Sequence, residues 1–138
     1  MKRWLILALV AACSASAKGK HDDLDEHLRD FQEGLRWRNY DRAAAHVRQE
    51  EREKFLDAHE ILDENLRIDD YEIERVTLGE DGRRATVRVR YVWHLDSEGR
   101  VHDTLVDESW EKQAKVWRIV GSSHRRGEPL PSTALPVE

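Results

Sequence analysis

The sequence lacks several features that define common classes of protein. It has one cysteine and three prolines among 138 residues, so no disulfide can form within the chain. It has no glycine-rich phosphate loop, no nucleophile elbow and no CxxC pair, so none of the chemistries that depend on those motifs is indicated. Its one long apolar run is too short to cross a bilayer as a stable helix.

The sequence also has no region in which charges of one sign are concentrated. Charged residues make up 37% of the chain, with a net charge of −5, and the two signs are interspersed. A nucleic-acid site needs basic residues collected on one face, and the run at positions 124–126 is too short to form one. We therefore expect no nucleic-acid partner, and no binding of this acidic chain to anionic membranes by charge alone.

The first twelve residues predict an export signal. Lys2 and Arg3 form a positive start, positions 4–10 form an apolar run, and Ala11 and Ala12 supply the small residues that precede a cleavage site. We therefore expect the mature chain outside the cytoplasm, where its stability must come from the core.

The stretch at positions 9–13 resembles the lipobox of bacterial lipoproteins. The resemblance implies cleavage before Cys13, lipidation of that cysteine and attachment to a membrane through the lipid. Ser14 stands where aspartate would resemble an inner-membrane retention signal, which implies sorting to the periplasmic face of the outer membrane. The alternative is an ordinary secretory signal, cleaved after Ala15 or Ala17, in which Cys13 is incidental.

Helical periodicity follows a short polar tether at positions 14–20. We expect a folded domain over residues 21–121, with Asp22 or Asp23 as the N-cap of a first helix that ends near positions 37–39. A short helix over 42–47, capped by Asp41, and a third helix over 49–66 come next. The residues expected on the buried helix faces are Leu24, Leu28, Phe31, Leu35, Phe55, His59, Ile61, Leu62 and Leu66.

The second half of the domain predicts an antiparallel sheet. Positions 85–95 alternate between apolar and polar residues, as in a strand buried on one face. An irregular strand over 71–78 precedes it, and a two-residue loop at Glu98-Gly99 sets Arg90 opposite Asp107 in the next strand. A turn at 113–114 then sets Trp110 opposite Trp117 in a strand over 116–120. Residues 122–138 read as a polar, poorly ordered tail.

This order of elements resembles the NTF2-like and cystatin-like α+β fold. The motifs that carry the resemblance lie at 39–44 between the helices, at 70–73 where the sheet begins, and at 115–120 in the tryptophan strand. The resemblance implies helices packed on a curved antiparallel sheet, as in small bacterial lipoproteins of this fold. No Tyr and Asp pair matches the enzymes of the superfamily, so no catalytic residue is carried over.

Glu108 is the most informative polar residue, because the predicted register turns it inward. A buried carboxylate of this kind forms either the polar end of a pocket or a structural ion pair with an arginine from a helix. A lone histidine on a buried face, such as His59, is more often a hydrogen-bonded core residue, and core packing accounts for the tryptophans without a ligand. The candidate pocket comprises Glu108, Tyr91, Thr104, His102, His59, Trp93, Trp110 and Trp117.

These observations favour a lipid-anchored envelope domain that binds a ligand or partner and has no catalytic residue, cofactor or metal. The occupant is expected to be a small apolar ligand or another envelope protein. A homodimer through the charged outer face of the sheet is also possible. A pocket enzyme with Glu108 as its acid/base group and a structural subunit of an envelope assembly are the alternatives.

Overall fold

The longest apolar alternation in the chain forms the centre of the fold. The computed structural model describes residues 18–137, with side chains from residue 23 onward. In it Arg84–Leu95 is a strand, and the inward residues at positions 85, 87, 89, 91 and 93 are all buried. The predicted inward face is therefore confirmed. The predicted signal peptide and Cys13 lie outside the described residues.

Helices come first along the chain and strands follow. The elements are α1 (Lys18–Arg36), α2 (Tyr40–Ala44), a 3-10 turn (Gln49–Glu51), α3 (Arg52–Leu62), β1 (Leu66–Leu78), β2 (Arg84–Leu95), β3 (Val101–Gln113) and β4 (Val116–Gly127). The strands form one antiparallel sheet in the order β1-β2-β3-β4. The sheet is curved and unclosed with a helix packed against it, so the predicted α+β class, consistent with an NTF2-like fold, is confirmed. None of the helices within residues 18–137 is both long and apolar enough to span a membrane.

The core lies between α1 and the inner face of the sheet. Leu24, Leu28, Phe31 and Leu35 fall on one side of α1 because they recur at helical spacing, and all four are buried. Phe31 meets Trp110 of β3 edge to face, with ring centroids 5.6 Å apart. Burying one such side chain contributes about 1.5–3 kcal/mol, so this stripe accounts for much of the attachment of α1 to the sheet.

Several predicted helix boundaries were wrong. Residues 18–20, predicted as tether, already belong to α1, so the helix does not start at an aspartate cap. The side chain of Asn39, and not Asp41, caps α2 by accepting a hydrogen bond from the Arg42 amide at 3.2 Å. α3 ends at Leu62 because Leu66 pairs with Leu95 and so belongs to β1. Ile61, predicted on the buried face of α3, is 74% exposed.

The β2–β3 and β3–β4 hairpins are each offset by two residues from the predicted register. Asp107 is paired with Arg88 instead of Arg90, and Trp110 is paired with Ile119 instead of Trp117. Each turn is centred one residue away from its predicted position, which shifts the pairing by two. An even shift leaves every side chain on its predicted face, so the burial pattern was right although the partners were wrong.

β1 starts five residues earlier than predicted and is irregular, as expected. Its pairing with β2 shifts register between Ile68 and Asp70 and again between Ile73 and Arg75. Each shift places an extra residue in β1 and bends the strand locally. The predicted bulge in the first strand is thus confirmed.

The prediction of a poorly ordered tail from Ser122 was wrong. β4 continues to Gly127, and residues 128–137, here called the C-terminal segment, fold back over the domain. Ala134 and Leu135 are buried, and Leu130 packs against the core. The Ser122 hydroxyl donates to the carbonyl of Pro136 at 2.6 Å. The folded domain therefore extends well beyond residue 121.

Candidate functional site

Glu108 lies at the centre of a closed hydrogen-bonded cluster. The carboxyl group is fully buried, and the Gln32 amide nitrogen donates to its two oxygens at 2.9 and 3.1 Å. The Trp110 indole donates to its Oε2 atom at 3.0 Å, and the Tyr91 hydroxyl lies 2.5 Å from its Oε1 atom. α1, β2 and β3 each contribute to the cluster, which ties the helix to two strands.

The electrostatics of this cluster follow from its burial. Removal from water raises the pKa of Glu108 above its usual range, although its hydrogen bonds with Tyr91, Trp110 and Gln32 act in the opposite direction. Burial and the neighbouring Glu108 raise the pKa of Tyr91 well above its ordinary value. The partner that α1 supplies to Glu108 is the neutral amide of Gln32. Within residues 23–137, Glu108 does not form the ion pair with an arginine that was one of the two expectations.

The other predicted pocket residues are divided among separate places. At the β2–β3 hairpin, the Trp93 indole donates to the Thr104 hydroxyl at 2.8 Å, and the Thr104 hydroxyl donates to the carbonyl of Glu128. The His102 ring packs on Trp93 with centroids 4.5 Å apart. Trp117 is buried at the opposite end of the sheet, next to the turn between β3 and β4.

His59 holds the C-terminal segment. Its ring stacks on Tyr40, and its Nε2 atom donates to the carbonyl of Ala134 at 2.9 Å. Burial lowers the pKa of His59, which keeps the ring neutral. The structure therefore brings Tyr91 and Trp110 to Glu108, whereas His59, His102, Thr104, Trp93 and Trp117 make other contacts.

Gln32 was missed from the sequence, although a signal was present. It lies four residues after Leu28 and three before Leu35, so it belongs to the buried side of α1. A polar residue on an apolar helix face needs a hydrogen-bonding partner. That requirement pointed to an inward polar group on the sheet, and Glu108 is such a group.

The interior next to this cluster is nearly filled. A cavity bordered by Tyr91, His59 and Leu135 has a volume of only about 10 Å³, which is close to the space occupied by one water probe. The C-terminal segment supplies part of its wall. A substrate therefore has no room beside Glu108 in this structure.

A groove on the surface offers more space. It has a volume of about 210 Å³ and lies between α3, β4 and the C-terminal segment. Its apolar lining residues are Val47, Phe55, Ala58, Ile119, Val120, Leu135, Pro136 and Val137. Other hollows on the described surface are larger, and one of about 470 Å³ lies over polar residues such as Arg38, Asp41 and Asp63.

Backbone pairing builds this groove and charged residues border it. Val47 forms a parallel bridge with Ile119, which holds the loop after α2 against β4. Arg48, Glu51 and Lys54 lie at the groove, and an Arg48 guanidinium nitrogen donates to the carbonyl of Val120 at 2.9 Å. The groove can therefore take an apolar group together with an attached polar or charged head.

The described residues contain no cluster of three or more His, Cys, Asp or Glu side chains arranged to hold a metal ion. Comparisons with known proteins give no independent assignment: no family profile matches the chain, and no curated protein is significantly similar to it in sequence. The groove and the Glu108 cluster are therefore the features of the described residues that bear on function.

Proposed function

We propose that this chain is a lipid-anchored protein of the bacterial cell envelope whose domain binds a small apolar ligand without catalysing a reaction. The observation that carries the proposal is the groove of about 210 Å³ with its apolar lining. Binding sites are commonly concave and mostly apolar, with a few polar groups that orient the ligand. Arg48 and Lys54 would orient the polar head of such a ligand.

The burial of Glu108 supports a binding role over an enzymatic one. A general acid or base must come within hydrogen-bonding distance of the substrate, but Glu108 is fully buried and its partners surround it. His59 and His102, the other candidate acid/base groups, are engaged by Ala134 and Glu98. A pocket enzyme that uses Glu108 is thus the less supported alternative.

The outer face of the sheet gives less support for a dimer or a protein partner. Its charges already satisfy one another across the strands, since the Arg88 guanidinium donates to Asp107 at 2.9 Å and that of Arg90 donates to Asp103 at 2.9 Å. Such pairs contribute little to stability at a surface but keep the face well solvated. We therefore propose the groove as the ligand site and expect the outer face of the sheet to be exposed to solvent.

Blocking the groove should abolish ligand binding. We expect Ala58→Trp, which fills the groove from α3, to weaken binding of the apolar anionic dye 1-anilinonaphthalene-8-sulfonate by at least about tenfold, or ~1.4 kcal/mol. Dye fluorescence titration of the purified full chain measures this. The control is Ile61→Trp on the same helix, outside the groove, which should change the affinity less than about twofold, or ~0.4 kcal/mol. Equal effects of the two variants, or no dye binding by the original chain, would rule out the groove as the site.

Membrane attachment should depend on Cys13. We expect Cys13→Ala to lose incorporation of labelled palmitate in a bacterial host and to move the protein from the membrane fraction to the soluble fraction, because the lipid supplies the attachment. Ser14→Ala is the matched control and should keep both label and membrane location. If Cys13→Ala behaves like the original chain, the signal is an ordinary secretory one and the anchor is refuted.

A further inference from the structure

We propose that Glu108 is protonated and uncharged at neutral pH, and that its proton is part of a closed network with Tyr91 and Gln32 that makes the fold sensitive to rising pH. This inference is independent of the groove and of any ligand. It concerns the one fully buried carboxyl group in the described part of the chain.

The number of protons that the network needs indicates the protonation state of Glu108. The Tyr91 oxygen lies 2.6 Å from Oε1 of Gln32 and 2.5 Å from Oε1 of Glu108. Both are hydrogen-bond distances between oxygens, and each needs a proton between its two atoms. Tyr91 has one proton to donate, so the second must come from the carboxyl group of Glu108.

The alternative orientation of the Gln32 amide leads to the same conclusion. If its oxygen and nitrogen are exchanged, the nitrogen donates to Tyr91, and Tyr91 donates to Glu108. The Gln32 oxygen then faces the two carboxyl oxygens of Glu108 at 2.9 and 3.1 Å. Two acceptors at these distances again require a proton on Glu108. The count therefore does not depend on how the amide is assigned.

The surroundings of Glu108 contain no positive charge to stabilise an ionised form. α1 presents Gln32, β2 presents Tyr91 and β3 presents Trp110, while Ser122 of β4 is its partner in the sheet. No cation within residues 23–137 forms a hydrogen bond or ion pair with it. Tyr91 is the titratable group that touches it, and burial raises the pKa of both. A buried, unpaired carboxylate would be costly, so the neutral acid is favoured.

The direction in which pH changes the stability of the fold follows from the linkage between proton binding and folding. A carboxyl group whose pKa is raised in the folded state binds its proton more tightly there than in the unfolded chain. The contribution of Glu108 to stability is therefore fully present below the unfolded pKa, near 4.5. It is lost progressively as the pH rises from that value to the folded pKa.

The pH dependence of unfolding tests this in the full chain, purified in mild detergent. The quantity to measure is the ratio of the unfolding equilibrium constant of the original chain to that of Glu108→Gln. Between pH 5 and 7 this ratio should rise about tenfold per pH unit. The Gln side chain keeps the donor and the shape but cannot ionise. A ratio that stays constant from pH 5 to 7 would overturn the proposal, because it would mean that Glu108 is ionised in that range.

A spectroscopic measurement covers the case in which Glu108→Gln fails to fold. Carbon-13 NMR of the original chain, labelled at its glutamate carboxyl carbons, should show one glutamate signal at the position of a protonated acid at pH 7, shifted from all the others. A variant that is exposed and outside the cluster, Glu60→Gln, should retain that signal. If every glutamate carboxyl carbon resonates as a carboxylate at pH 7, Glu108 is ionised and the proposal fails.

Discussion

Replacement of Trp110 by alanine is expected to lower the free energy of unfolding by about 3–5 kcal/mol, the usual cost of deleting a large buried aromatic side chain. Trp110 is fully buried and packs edge to face on Phe31. Its indole also donates to Glu108, so the substitution leaves a cavity and removes a hydrogen bond from a buried group. Urea denaturation followed by circular dichroism measures the loss.

Trp37→Ala is the matched control for this experiment. Trp37 follows the last residue of α1, with 66% of its surface exposed. Its indole donates to Glu33 of the preceding turn, and the Arg36 guanidinium lies over its ring. Its removal should change the free energy of unfolding by less than about 0.5 kcal/mol, as is usual for surface positions. If Trp110→Ala and Trp37→Ala lower the free energy of unfolding by similar amounts, Trp110 does not stabilise the core as described.

Replacement of Gly127 by alanine should also be severe, with an expected loss of more than about 2 kcal/mol. Gly127 has a positive φ of 85°, a backbone conformation that costs other residues energy. A Cβ atom there would lie 1.9 Å from the carbonyl oxygen of Asp103. The backbones of β3 and β4 must therefore move apart, which also disturbs the start of the C-terminal segment. Urea denaturation measures the change in stability.

Gly99→Ala separates the two causes of this loss. Gly99 has a similar positive φ of 62°, but no atom lies within 4 Å of the position of an added Cβ. Its replacement should cost only the conformational term, about 1 kcal/mol. An equal loss for the two glycines would show that the approach of β3 to Gly127 is looser than described.

The sequence predicted the faces of the sheet better than its pairing. Period-2 alternation from Ala85 to Trp93 decides which side chains are buried, and a shift of two residues does not alter that. Arg88 and Arg90 both lie on the outer face of β2, so alternation alone allows either one to pair with Asp107. The choice depends on the turn geometry, and the three residues before Gly99 do not identify a unique turn.

The closing of the domain by the C-terminal segment could not be predicted from local patterns. Leu130 is separated from Ala134 and Leu135 by one proline and two polar residues, so no periodicity marks the three as buried. Ala134 and Leu135 are buried, and Leu130 is partly buried, because together they cover the gap between α3 and the sheet, which is a tertiary requirement. The inward position of Glu108 was predictable from alternation, but its partner Gln32 required knowledge of where α1 crosses the sheet.

The two register shifts of β1 have a consequence for self-association. β1 is an edge of an unclosed sheet, and a flat edge strand is a template on which another chain can add a strand and aggregate. The shifts near Asp69 and Glu74 break the regular row of backbone donors and acceptors, and Glu72, Glu74 and Arg75 add exposed charge. At the opposite edge, Val47 is already paired with β4. We therefore expect both edges of the sheet to resist the addition of a strand from another chain, even at high local concentration.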